Sequence, residues 1–65
     1  MKRSTLLRHL RKYGCCLKRE GAAHSLWWNP ITGAMEAVPR HAEISNRLAH
    51  KICLNISVPA PVHRD

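Results

Sequence analysis

The residues whose types could do chemistry gather in one stretch, Gly21-Ala22-Ala23-His24-Ser25-Leu26-Trp27-Trp28-Asn29-Pro30. His24 carries the one kind of side chain that ordinarily changes charge near neutrality, so it could take up and return a proton. Gly21 gives the backbone ahead of it freedom to turn, and Leu26, Trp27 and Trp28 favour a pleated, half-buried surface. His24 is therefore expected on a rigid strand at the mouth of a loop, with Asn29-Pro30 breaking that strand. A second histidine, His41, follows Arg40 a little further on. His41 reads either as a loop residue that fixes the start of a helix or as a phosphate contact or proton partner for His24. Arg40 reads as a bidentate phosphate contact or as a solvated cation.

Other chemistries find less material. His50 and Cys53 stand three apart and could supply two metal ligands from one helix turn, but no matching pair exists elsewhere, so no metal or other cofactor is expected. Cys15 and Cys16 have no base at a recognisable spacing. There is no glycine-rich phosphate loop and no carboxylate pair.

The elements that would position His24 are legible from periodicity. Ser4 can cap a helix over Thr5 to Tyr13, with Gly14 at its stop. Leu6, Leu10 and Tyr13 make its apolar stripe beside Leu7, and Arg8, Arg11 and Lys12 lie on the other side. A short strand over Cys15 to Arg19 follows, then a turn over Glu20 to Ala23 and a strand over His24 to Trp28. Asn29 to Gly33 reads as a hairpin loop, Ala34 to Val38 as a third strand, and Pro39 as its end. Alternation sets His24, Leu26 and Trp28 on one face and Ser25 and Trp27 on the other, without deciding which tryptophan is core. A helix over Glu43 to Asn55 carries Ile44, Leu48, Ile52 and Ile56 at every fourth position, with Ala49 and Cys53 widening the stripe. The expected fold class is α+β: one domain over residues 1–58, ordered α-β-β-β-α, with two helices on one face of a three-stranded antiparallel sheet. That order matches the architecture of double-stranded-RNA-binding domains. Residues 59–65 are expected to form an extended or disordered tail.

Composition narrows the partners. The chain has 65 residues, a formal net charge of +7, and 11 Lys and Arg against 4 Asp and Glu. Such an excess favours a polyanion, and Lys18, Arg19, Arg8, Arg11 and Lys12 are the expected footprint for an RNA backbone. Trp27 or Trp28 could add stacking on an unpaired base. RNA offers a 2′-hydroxyl beside each phosphate, and a histidine can be the base that removes its proton or the acid that protonates the leaving 5′-oxygen, though not both at once. Three cysteines is an odd number and reads as reduced thiols in a cytoplasmic protein. Arg8 and His9 interrupt the only apolar run near the basic start, so neither a signal peptide nor a membrane span is expected.

From Ser4 to Pro59 the chain resembles the HicA family of small bacterial toxins, RNA-cleaving partners of HicB antitoxins. The likeness rests on Leu6-Leu7, Gly14, Lys18-Arg19, Gly21, His24, Trp28-Asn29-Pro30 and Gly33. It continues through Val38-Pro39-Arg40-His41, Glu43-Ile44 and Lys51-Ile52-Cys53. The resemblance implies a compact α-β-β-β-α domain that cleaves messenger RNA without a metal, with His24 as the active histidine. It also implies a tight complex in which a HicB-type antitoxin covers that histidine, with DNA met only through the antitoxin. The chain departs from the family pattern at three positions. Ala23 stands where a small polar residue is common, Ala42 where a threonine often caps the second helix, and Ser57 where a glycine closes it.

Overall fold

Leu6 and Leu10 are one helical turn apart and fully buried, which fixes the side of helix α1 (Arg3–Lys12) that faces the protein. In the computed structural model, which describes residues 1–61, α1 is followed by β1 (Cys16–Glu20), β2 (His24–Trp28), β3 (Met35–Pro39) and α2 (Asn46–Asn55). The three strands form one antiparallel sheet in the order β1-β2-β3. Trp27 and Val38 on its covered face pack in one cluster with Leu6 and Leu10 of α1 and Ala49, Ile52 and Cys53 of α2, together with Ile44 and Ile56. Each fully buried aliphatic side chain of this kind contributes about 1.5–3 kcal/mol, so the cluster dominates the stability of so small a domain. The expected α-β-β-β-α order, with both helices on one face, is the order observed. No helix among the described residues is long and apolar enough to cross a membrane.

The ends of the helices differ from expectation in an instructive way. Ser4 does not cap α1; Lys2 occupies the cap position and makes no side-chain bond there. The Arg3 N–H donates instead to the Ala42 carbonyl at 2.9 Å, and the Ile44 N–H donates to the Met1 carbonyl at 2.8 Å. A neighbouring segment thus satisfies the first turn of α1, so no capping side chain is needed. That pairing also holds Glu43 extended, in a bridge opposite Lys2. As a result α2 starts at Asn46 rather than Glu43. Its cap is Ser45, whose Oγ accepts from the Leu48 N–H at 3.1 Å. Ala42 is therefore not a cap position, and its carbonyl serves α1.

Both helices close the same way. After α1, Gly14 has φ 88° and the Cys15 N–H returns to the Leu10 carbonyl at 3.0 Å. After α2, Ser57 has φ 65° and the Val58 N–H returns to the Cys53 carbonyl at 3.0 Å. Glycine adopts that left-handed backbone freely and serine does not. Asn29 fastens this second stop to the sheet: its Nδ2 donates to the Ile56 carbonyl at 3.0 Å while its Oδ1 accepts from the Ile31 N–H at 3.0 Å. Residues 59–61 form neither helix nor strand, and the Pro59 carbonyl lies 2.7 Å from His9 Nε2. The remainder of the expected tail, Val62 to Asp65, lies outside the described residues.

Two outcomes follow from these placements. Ser57→Gly relieves the left-handed strain and raises stability by about 1 kcal/mol, read as a Tm increase of roughly 4–8 °C. The cysteines behave unequally, since Cys15 and Cys53 are buried and Cys16 is exposed. Burial, then the nearby Cys15, pushes the Cys53 thiol up to about 11. A raised thiol pKa means that the unfolded chain loses its proton first. Stability is thus fully present below about pH 8.5 and is lost as pH rises toward 11. Thermal melts across that range check the slope. A thiol reagent labels Cys16 in the native protein and reaches Cys15 and Cys53 only on unfolding.

Candidate functional site

The outer face of the sheet, the one no helix covers, is set by β2. Ser25 and Trp27 point into the protein and are buried, so His24, Leu26 and Trp28 point out. This decides between the tryptophans. Trp27, expected as an RNA-stacking residue, is 2% exposed within the core and cannot meet a base. Trp28 is the half-exposed ring on the outer face.

A bulge in β1 controls what stands beside them. Cys16 pairs with Trp28 and Leu17 with Trp27, but the next pairs are Arg19 with Leu26 and Glu20 with Ser25. Lys18 is the extra residue. Were the pairing regular through Lys18, Arg19 would oppose Ser25 and point toward the helices; the bulge sets Arg19 on the outer face. The Lys18 ammonium lies over the Trp28 ring, 4.6 Å from its centroid. Both cations of the expected Lys18-Arg19 pair are thereby brought to the face that carries His24. Arg8, Arg11 and Lys12 are exposed on α1, in the helical layer, and Arg11 lies 5.1 Å from the ring of the inward-facing Trp27. The five-residue footprint is thus divided between the two layers.

The same bulge sends Glu20 to the covered face, where it joins a clamp beneath the histidine. Ser25 Oγ donates to Glu20 Oε1. Arg3 donates from Nη2 to Ser25 Oγ at 2.7 Å and from Nε to the Pro39 carbonyl at 2.8 Å. Arg40 closes the clamp. Its N–H donates to the Ala23 carbonyl at 3.2 Å, its Nε to the Gly21 carbonyl at 3.1 Å, and its Nη2 lies 3.2 Å from Glu20 Oε1. Arg40 therefore ties the end of β3 to the turn that carries His24. The Arg40–Glu20 pair is about half exposed and contributes little as an ion pair; its effect is to fix the turn. Sequence reasoning singled out Arg40 only for phosphate and passed over Arg3, Glu20 and Ser25, which carry no recognisable spacing.

The turn is tight. The Gly21 N–H donates to the His24 carbonyl at 2.8 Å, and a Cβ at Gly21 would lie 2.9 Å from that same oxygen. His24 is exposed at the edge of a depression of about 250 Å³, lined by Arg19, Leu26, Ala37 and the Gly21–Ala23 turn. Among the described residues its ring makes no hydrogen bond. His41 is exposed in the segment between β3 and α2 and does not line the depression, so the structure does not bring the two histidines together there. A larger groove of about 400 Å³ runs along α2 past Leu48, Leu54, Arg47, His50 and Lys51. No three of the described His, Cys, Asp and Glu residues come together in a way that could hold a metal ion. Comparison with protein-family models, with curated proteins and with solved structures finds no match for the chain.

Gly21→Ala tests the turn directly. The added methyl meets backbone, which cannot swing aside, so the hairpin must open. The expected result is a loss of about 1–3 kcal/mol in a denaturant melt and a changed His24 environment in the histidine NMR signals.

Proposed function

We propose that the chain is a metal-independent endoribonuclease of the HicA toxin type, cleaving messenger RNA with His24 and restrained by a HicB-type antitoxin. The observation that carries this reading is an exposed histidine on a rigid strand start, at the rim of an open depression that also holds Arg19. The family resemblance of the sequence supports it, as does the net charge of +7. In this reaction His24 removes the proton from a 2′-hydroxyl, the 2′-oxygen bonds to the adjacent phosphorus, and the bond from phosphorus to the 5′-oxygen breaks. The products are a 2′,3′-cyclic phosphate and a 5′-hydroxyl. Water supplies the proton to the leaving oxygen in this reading, since His41 does not line the depression. Arg19, which lines the depression, offsets the charge that builds on the phosphate. Such a protein works in the cytoplasm, on RNA, and meets DNA only through its antitoxin.

A second reading, a non-catalytic RNA-binding module, is favoured by one observation. The His24 ring has no hydrogen-bond partner among the described residues to set its tautomer and hold its orientation, which a general base ordinarily has.

Incubation of purified protein with messenger RNA in EDTA separates the two. Cleavage is expected; retention of intact RNA would favour the binding module. His24→Ala is expected to lower cleavage by about 10²–10⁴-fold. Its thermal melt and RNA affinity should be nearly unchanged, because the exposed ring carries no core packing. An unfolded variant would assign His24 a structural role, and a folded variant that cleaves at the full rate would exclude His24 as the base.

A further inference from the structure

The cross-strand register sorts the outer face into rows. Cys16, Trp28 and Met35 form one row, Arg19, Leu26 and Ala37 the next, and His24 with Pro39 the last. The face thus runs from an aromatic end flanked by two sulfur side chains, through the cations, to the histidine. His24 and Trp28 are four residues apart on one strand, roughly 13 Å between their Cα atoms. That distance is too long for both to serve one nucleotide and suits groups that meet one extended strand at two places.

Trp28 is the one tryptophan or tyrosine ring among the described residues of this face, and the Lys18 ammonium rests on it at 4.6 Å. Lys18 itself is exposed, and it leaves a flexible stem at a bulge rather than a fixed ladder position. An exposed cation–π contact is weaker than the stacking of a nucleobase on an aromatic side chain. A base arriving at this ring therefore displaces the ammonium, and the displaced ammonium stays within reach of the phosphate attached to that base. We infer that the Trp28 ring is a subsite for one unpaired nucleobase of an RNA strand, covered in the free protein by Lys18, with the strand running across Arg19 toward His24. The inference rests on the reading that this face binds RNA. It adds a condition that the charge alone does not impose: the base must be out of any stack, because a paired base presents only its edge to a flat sheet. Charge complementarity selects this occupant over a protein's apolar anchor, since Lys18 lies on the ring, Arg19 stands in the next row, and among the described residues no carboxylate shares these rows.

Two probes test it, a single-stranded oligoribonucleotide with 2′-O-methyl groups, which cannot be cleaved, and the fully paired duplex of the same sequence. The single strand should bind more tightly and quench the emission of Trp28, Trp27 being shielded in the core. Trp28→Leu should weaken single-strand binding by about tenfold and leave duplex binding unchanged, whereas Trp28→Phe should keep most of the affinity. Lys18→Ala should lower the slope of log affinity against log salt by about 0.7, the share of one phosphate contact on a single strand. Equal affinity for the duplex, or a folded Trp28→Leu variant with full single-strand affinity, overturns the subsite. So does Trp28 emission that bound single strand leaves unquenched, a readout that needs no variant to fold. Failure of the ribonuclease reading looks different. His24→Ala and wild type would then bind and quench alike while neither cuts native RNA, and the stacking subsite would stand without the chemistry.

Discussion

One extra residue in β1 decides what this molecule can present. The bulge at Lys18 reverses the facing of everything beyond it in the strand, so Arg19 turns outward and Glu20 turns inward. The outward turn places a cation beside Leu26 in the depression at His24. The inward turn gives Ser25 and Arg40 their shared carboxylate. A regular strand of the same composition would turn Arg19 toward the helices and Glu20 away from Ser25, and would leave the histidine turn without its anchor. The charged face and the rigid base under it are two results of the same local irregularity.

The clamp under His24 also explains why a domain of this size can hold a histidine steady on a short turn. Arg3 from α1, Ser25 from β2, Glu20 from β1 and Arg40 after β3 come from four separate parts of the chain and meet below one turn. None of these contacts is strong by itself. Their value lies in directing several hydrogen bonds at backbone carbonyls that flank the turn, so that the turn cannot shift without breaking all of them. Gly21 completes the arrangement by allowing the strands to approach more closely than any side chain permits.

Much of this was legible in the sequence. The buried stripes of both helices, from Leu6 and Leu10 to Ala49, Ile52 and Cys53, were readable from spacing because helical periodicity is a direct consequence of burial on one side. The start of β2 and the placing of His24, Leu26 and Trp28 on one face were readable too, since strand alternation has only two outcomes. Where expectation failed, the deciding contact was distant. Ser4 lost the capping role because Ala42, far along the chain, satisfies the helix instead. Trp27 and Trp28 are chemically equivalent neighbours, and only the side on which the helices dock tells them apart. The bulge left no signal, as Leu-Lys-Arg-Glu contains neither glycine nor proline. Tyr13 sits at a stripe position yet is 38% exposed, for the helix ends at Lys12 and Tyr13 is the residue that closes it.

The pairing of Met1 and Arg3 with residues 42 to 44 has a consequence for how the chain is made. The first helix emerges from the ribosome with its apolar side bare and its opening turn unsatisfied, and the segment that completes it is synthesised some forty residues later. The second helix, which closes the core with Ile52 and Ile56, is later still. Local contacts alone offer the early chain little, and the entropy of bringing such distant parts together is recovered only when the second helix docks. Assembly of the core therefore waits for the second helix rather than growing element by element. A chain cut short before Ile56 lacks a side chain that closes the core, and lies open to proteases and to chaperones.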